Sequence, residues 1–441
     1  MKKSLLAVAA LGAFASAAQA QSSVTVYGLL DLGYVGLNQR TANNAGTATG
    51  STVAQATGSQ FDGGAESTSR LGFKGTEDLG GGLSAFFTVE TALTPNGQQA
   101  ISVSTSTANR QTFAGLKKNG VGQFAFGTQY TTIHNAVSAT DPGMANNMMG
   151  NVIYDKLTGA GTTNSQTVNS ANTNANTAGT QQYSGMQNNT SYTVRANNML
   201  SLASDTFAGF QANAFYVLNN VNTNQSTTSN GGYSGGTNNH TAWGLGANYT
   251  WQKLLVTANY QNFTDKNPFV MNPNGTYYSG NPTMNGYGGT SVQATNSRDN
   301  QQYYAATYDF GILKAYVQYV NRKTMDVNNP NNYVARTAQQ IGVRSFITPT
   351  IESWASTGTG KLTVSQAGTG TNPYVYNTTA TGSNAANFGG FQLGTNYWLS
   401  KRTNLYAIYG QQRTSNQSWT QGGNPTSYNS NNYALGLRHT F

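Results

Sequence analysis

The chain has 441 residues, of which 23 are basic and 14 acidic, so only 8% carry charge. Soluble domains carry about 25%. Here the gap is filled by 51 Gly, 26 Tyr and tracts of Asn, Thr, Ser and Gln, while apolar residues stay at 37%. That balance excludes an ordinary helical protein, built from Glu, Lys, Arg and Leu. It also excludes a charged disordered chain, which would lack aromatics; these reach 11%. After residue 20 no stretch approaches the ~18 apolar residues of a membrane-crossing helix. What remains is a large β protein, secreted or membrane-embedded as a barrel.

The N-terminus reads as an export leader. Met1-Lys2-Lys3 is a positive start, Leu5 to Phe14 is apolar but for Gly12, and Ala18-Gln19-Ala20 is a small-x-small cleavage pattern. Residues 1–20 are thus expected to be a cleaved signal peptide, and residues 21–441 one β-barrel domain. Removing Lys2 and Lys3 lowers the net charge from +9 to +7. The bases come at most in pairs (Lys117-Lys118, Arg322-Lys323, Lys401-Arg402), whereas nucleic-acid binders cluster them on one face, so no nucleic acid is expected as partner. With no Cys, neither a disulfide framework nor a thiolate site exists.

From residue 24 the text alternates between Tyr/Val/Leu/Phe-bearing segments, often of period two, and either tight turns or polar tracts. Val24–Leu29, Leu71–Lys74, Phe86–Glu90, Phe113–Leu116 and Phe124–Tyr130 come first, with turns at Gly80-Gly81-Gly82 and Asn119-Gly120. Tyr192–Leu202, Phe210–Leu218, Trp243–Trp251, Leu254–Phe263, Tyr303–Phe310 and Ile312–Val320 follow. Gln339–Thr348, a weaker segment from Ile351, Phe391–Leu399, Asn404–Tyr409 and Tyr433–Phe441 complete sixteen predicted strands. Polar tracts at 38–66, 131–190, 219–240, 264–299, 363–387 and 411–431 read as long loops. Alternating short and long connections characterise outer-membrane barrels, with short periplasmic turns and longer external loops. Unpaired backbone groups in lipid cost several kcal/mol each, so the sheet must close. A secreted β-solenoid would show a fixed short repeat, and none is present. The expected fold is an all-β, antiparallel sixteen-stranded transmembrane barrel.

Catalysis has little support. His134, His240 and His439 are far apart, and no Ser-His-Asp or His-Glu-x-x-His spacing occurs. No enzyme, cofactor or metal is expected. The last strand alternates Tyr433, Leu435, Leu437 and Phe441 with Ala434, Gly436, Arg438 and Thr440, a lipid face and a lumen face ending on an aromatic.

Several of these stretches resemble the Gram-negative trimeric general porins of betaproteobacterial type. They are Ser23-Val24-Thr25-Val26-Tyr27-Gly28, Ser69 to Gly80 (SRLGFKGTEDLG), Asn109-Arg110-Gln111, Tyr397 to Thr403 and Gly436 to Phe441. The resemblance implies a homotrimer in outer-membrane lipid, a third external loop folded into the lumen, and passive passage of small hydrophilic solutes. It also ties Phe441 to recognition by the barrel-insertion machinery. Two departures stand out: Thr128 replaces a common arginine, and the third loop lacks the Pro-Glu-Phe-Gly-Gly signature of enteric porins.

Period two assigns the sparse charges to faces. With Leu71 and Phe73 outward, Arg70 and Lys74 turn inward; with Phe113 outward, Arg110 is inward; with Tyr192 and Val194 outward, Arg195 is inward. Lys314, Arg344 and Arg438 follow likewise. By resemblance Arg70, Arg110 and Arg195 build a basic ladder at a constriction, with Lys74 beside it. The facing acids are expected from Glu90, Asp141 and Asp155. These charges predict a modest anion preference; the alternative is a non-conducting surface barrel, an adhesin or structural protein.

Overall fold

The structure is a computed structural model that describes residues 23–43, 52–95, 109–155, 187–227, 233–267, 295–327, 330, 333–366, 382–417 and 426–441. The expected leader lies outside them. Alternating sequence becomes pleated strand, since successive side chains in a strand point to opposite faces. The elements are β1 (Ser23–Asn43), β2 (Thr52–Gly63), β3 (Arg70–Gly80), β4 (Leu83–Ala92), β5 (Asn109–Lys118), β6 (Gly122–Tyr130), helix α1 (Thr132–Thr140), β7 (Gln187–Asn188), β8 (Thr193–Ser204) and β9 (Phe210–Thr227). Then follow β10 (Tyr233–Trp251), β11 (Leu254–Asn267), β12 (Thr295–Asp309), β13 (Lys314–Asp326), β14 (Tyr333–Phe346), β15 (Ile351–Gln366), β16 (Gly382–Ser400), β17 (Thr403–Gln417) and β18 (Thr426–Thr440).

All pairings are antiparallel, and the ring closes through β1, which pairs with β18 on one side and with β2 and β3 on the other. Leu32–Asn43 lies against β2 and Ser23–Leu29 against β3, so β2 and β3 are two halves of one wall strand, interrupted at 64–69. The two-residue β7 only edges β8. The wall therefore has sixteen strands. Short turns gather at one end and long connections at the other. At the β3–β4 turn, Gly80, Gly81 and Gly82 all have positive φ (85°, 60° and 76°), which only glycine adopts without strain.

The strands run further than the alternation predicts. Thr52–Gly63, read as loop, is strand, and β9, β10, β12, β15, β16, β17 and β18 all extend into tracts read as loops. The sequence of these hairpins is polar at the long-connection end, so the backbone ladder continues where the apolar alternation has stopped.

Exposed apolar side chains such as Val26, Phe73, Leu245, Ile341, Leu393 and Leu435 cover the outer face. Inside, the third long connection crosses the lumen. Thr131 caps α1 by accepting a hydrogen bond from the His134 amide. From there residues 141–155 touch inward side chains of β14, β16 and β18. Ile133, Val137, Val152, Ile153, Tyr192, Val194, Tyr303, Val320 and Leu362 form its buried apolar seat.

Two face assignments are corrected. Phe113 points inward, beside Phe86 at a ring-centroid distance of 6.3 Å and opposite the helix residues Thr132, Asn135 and Ala136. Tyr192 and Val194 are buried in the interior seat rather than outward. There the alternation is broken: Gly127 pairs with Met199 but Gln129 with Ala196, and Asn198 takes φ 51°. Residues 189 and 191–196 are consequently all buried.

Candidate functional site

Arg70 and Lys74 are four residues apart on β3 and so share a face. Glu90 pairs with Gly72, beside Arg70. Because Gly72 has no side chain, the Tyr27 ring packs over it, and the Tyr27 hydroxyl donates to Glu90 Oε2 at 3.1 Å. Arg110 reaches the same carboxylate through a bulge. Glu90 pairs with Gln111 and Thr91 with Asn109, which leaves Arg110 as the extra residue. A bulge re-aims a side chain: Arg110 Nε lies 2.6 Å from Glu90 Oε1, and its Nη2 donates to the Tyr130 hydroxyl at 2.7 Å. Arg195 pairs in register with Tyr130 and sets its guanidinium 5.6 Å from that ring's centroid. Arg70 Nη1 stands 3.9 Å from Glu90 Oε1, and Lys74 Nζ 5.5 Å from the Tyr27 ring centroid.

Two of the four cations, Arg70 and Arg110, thus lie within 4 Å of the Glu90 carboxylate, and Lys74 and Arg195 join the patch through the two tyrosine rings. The sequence names Arg70, Lys74, Arg110, Arg195 and Glu90, and the fold brings all five together through Tyr27 and Tyr130. Arg195 is 3% exposed, yet its Nε and Nη1 have no hydrogen-bond partner among the described residues.

Asp141 and Asp155 lie elsewhere. Asp141 caps α1 and accepts from the Ala145 amide (2.8 Å), Asn151 Nδ2 (2.8 Å) and Gln340 Nε2 (3.0 Å). Burial pushes its carboxyl above the usual range, against the pull of these three donors. Asp155 pairs with Arg336 at 2.8 Å and accepts from Gln412. Both carboxylates therefore fasten the inward connection to the wall. Arg336 also donates to Ser191 Oγ (2.6 Å) and to the Val152 carbonyl (2.9 Å), and Arg322 clamps Asp299 and the Asn189 carbonyl. Of the other inward charges, Arg344 bonds Glu352 and the Pro142 carbonyl, and Lys314 sits 5.3 Å from the Tyr316 ring centroid.

Two features escape a sequence reading. One is a set of almost fully buried glutamines, Gln261, Gln301, Gln318 and Gln340 on the adjacent strands β11 to β14 and Gln392 on β16. Gln392 Nε2 donates to the Met148 and Met149 carbonyls (2.8 and 2.7 Å), Gln340 Oε1 accepts from the Val152 amide (3.1 Å), and Gln301 Oε1 from the Thr193 amide (2.7 Å). Their only signal is Gln at inward positions of strands β11 to β16. The other is Glu66, on the 64–69 interruption, which accepts from Asn396 and Asn404 and stands 3.9 Å from Arg438. The segment 64–69 in turn receives Asn147 of the inward connection.

Thr128 is buried, with Asn109 Nδ2 3.5 Å from its hydroxyl. The terminal Phe441 exchanges two backbone hydrogen bonds of 3.1 Å with Gly28 and is 44% exposed. Among the described residues no three His, Asp or Glu side chains converge on a metal-sized site.

Comparisons with known proteins bear on this barrel. An outer membrane porin protein of Bordetella pertussis is 35% identical over 170 residues, 36% of this chain and 43% of that protein. Outer membrane porin protein 32 of Delftia acidovorans is 46% identical over 90 residues, 20% of this chain and 22% of that protein. The matched stretches therefore span less than half the length of these relatives. A solved structure titled as an anion-selective porin from Comamonas acidovorans superposes on 96% of this chain and 100% of its own, with TM-score 0.59 at 18% identity. A family model described as Gram-negative porin matches residues 7–417. With a closed wall of sixteen strands and that match over most of its length, the chain belongs to the Gram-negative porin family and is an outer-membrane β-barrel.

Proposed function

We propose that the barrel is a passive diffusion channel for small hydrophilic solutes, with a modest preference for anions, and works as a homotrimer without cofactor. The observation that carries this is the uneven charge of one patch of the inner wall. Arg70, Lys74, Arg110 and Arg195 face the lumen with Glu90 as their sole carboxylate contact among the described residues. Asp141 and Asp155, which would oppose them, are turned to the wall and occupied. Charge acts on a passing ion only within the screening length, ~8–10 Å at physiological salt. The inward connection narrows the lumen and keeps ions near the wall, where rings of charge select them.

The similarity to the anion-selective porin of Comamonas acidovorans supports this reading, as does that to the trimer form of Vibrio cholerae OmpT. Phe441, placed at the barrel seam, is read as the assembly signal met by the insertion machinery. The test is single-channel recording in a planar bilayer with a salt gradient. Stepwise conductance and an anion-signed reversal potential are expected. Purified, folded protein giving no steps would leave the surface-barrel alternative in its place.

A further inference from the structure

On the short-turn side of α1 the lumen wall changes character. Between the helix and the inner faces of β5, β6 and β8 to β11 lies a hollow of about 460 Å³. That is within the ~300–1,000 Å³ of small-molecule sites. Asn135, Ala136 and Ala139 of α1 form its roof, and the small inward residues Ala125, Ser201 and Ala203 make it concave. It reaches down to the short turns, since Gln123, Ala203, Gln211 and Leu255 each stand one residue from a strand end.

No charged side chain lines this hollow among the described residues. Charge stops at its two edges. On one side the Tyr130 hydroxyl accepts from Arg110 Nη2 at 2.7 Å. On the other, Lys117 is the register partner of Gln123, one pair before the β5–β6 turn.

Two kinds of group face the space. The first is aromatic. Phe86 opposes Gly115 and Phe113 is two residues along β5, so the rings meet edge to face across the strands, 6.3 Å apart at 76°. The second is the carboxamide. Gln129 is engaged in the frame: its Nε2 donates to the Ala125 and Met199 carbonyls (3.1 and 3.2 Å), and its Oε1 accepts from Ser201 Oγ (2.7 Å). Asn248 likewise donates to Gln211 (3.2 Å) and accepts from Thr257 (2.6 Å). These bonds hold the wall in one shape. The side chains of Gln111, Gln123, Asn135 and Asn213, in contrast, make no hydrogen bond among the described residues.

The free amides decide what the hollow suits. An anion finds no cation in this lining. An apolar solute would cover polar groups without pairing them, at ~1–3 kcal/mol for each group buried. A neutral polyhydroxylated ring satisfies both surfaces. A hydroxyl both donates and accepts, as does a carboxamide. The C–H face of a pyranose carries the positive polarity that an aromatic face attracts.

We propose that this hollow is a saccharide subsite, in which a neutral pyranose lies on Phe86 and Phe113 with its hydroxyls on Gln111, Gln123, Asn135 and Asn213. This rests on the reading of the barrel as a diffusion channel. Short turns face the periplasm in such barrels, so the subsite follows the basic patch on the inward path. A station in a channel must also release its solute, so the expected affinity is millimolar.

The probe is methyl β-D-glucopyranoside, titrated onto the folded full-length barrel in a sugar-free zwitterionic detergent. Binding is read by saturation-transfer NMR from the aromatic protons to the ring protons. Saturable binding to the wild type is expected, with glycerol, which has hydroxyls but no ring face, giving none. Each amide hydrogen bond lost weakens binding about fivefold, the equivalent of ~1 kcal/mol. Asn135→Ala with Asn213→Ala should therefore weaken it roughly 25-fold. Phe113→Ala should weaken it about fivefold. Thr395→Ala, on the outer face, should leave it unchanged. Heat-modifiable gel migration shows that each variant is a folded barrel. Wild-type affinity in a folded Asn135→Ala/Asn213→Ala barrel overturns the proposal, as does non-saturable uptake by the wild type or equal binding of glycerol. Equilibrium binding needs no current. A barrel that saturates with the pyranoside but gives no conductance steps would thus overturn the channel reading and support the subsite.

Discussion

Replacing Arg70 and Arg195 by glutamine isolates the charge argument, because neither is the closest partner of Glu90. Arg110 at 2.6 Å holds that role. Four cations and one carboxylate give the cluster a net charge of +3. For an ion ~8 Å from the wall in water, each charge contributes ~0.5 kcal/mol, and one screening length reduces this to ~0.2 kcal/mol. An anion gains what a cation loses, so each net charge separates the two by ~0.4 kcal/mol, a factor of about two. The wild-type anion-to-cation permeability ratio is then about 8, that of Arg70→Gln/Arg195→Gln about 2, and that of Glu90→Gln about 16. Reversal potentials across a tenfold KCl gradient measure all three. The charge-neutral pair Arg110→Gln/Glu90→Gln should match the wild type. A ratio in Arg70→Gln/Arg195→Gln equal to wild type, or a cation-selective wild type, would show that other groups control the pore.

Three further outcomes are expected. Arg336→Ala leaves Asp155 buried without its partner, a change that costs ~3–5 kcal/mol; open-channel noise should rise and residues 141–155 become protease-sensitive. Arg336→Met combined with Asp155→Leu should recover much of the lost stability in a denaturant titration. Deleting Phe441 removes two backbone hydrogen bonds to Gly28 at the seam, and heat-modifiable barrel in the outer membrane should drop several-fold. Normal outer-membrane levels would refute its assembly role. Mass spectrometry of the exported protein should give a chain starting at Gln21; an intact leader would contradict the Ala18-Gln19-Ala20 cleavage pattern.

How much of the site was readable differs residue by residue. Arg70 and Lys74 follow from simple alternation against Phe73, an outward ring. Arg110 is inward for a reason alternation does not supply: Phe113 is itself inward, and only the bulge between Glu90 and Thr91 turns Arg110 to the same side. Arg195 repeats the lesson, since Tyr192 and Val194 are interior and the break at Asn198 resets the count. Bulges insert one residue without a compositional mark, so period-two counting cannot locate them. β2 is illegible for a different reason: its mostly polar sequence resembles loop text.

The class of the molecule is legible in the chain without any coordinates. Period-two segments, tight turns alternating with polar tracts, and the cost of open edges in lipid lead to a closed barrel, because each is a property of the local backbone and of the bilayer. Which inward residues meet depends on the folded barrel. Asp141 and Asp155 are acids in a lumen loop by sequence, but the path of residues 131–155 turns them onto Gln340 and Arg336 instead of the arginines. Convergence across a lumen depends on register, bulges and the course of one long connection. These are fixed by pairing between residues hundreds of positions apart, such as Asn146 with Gln392.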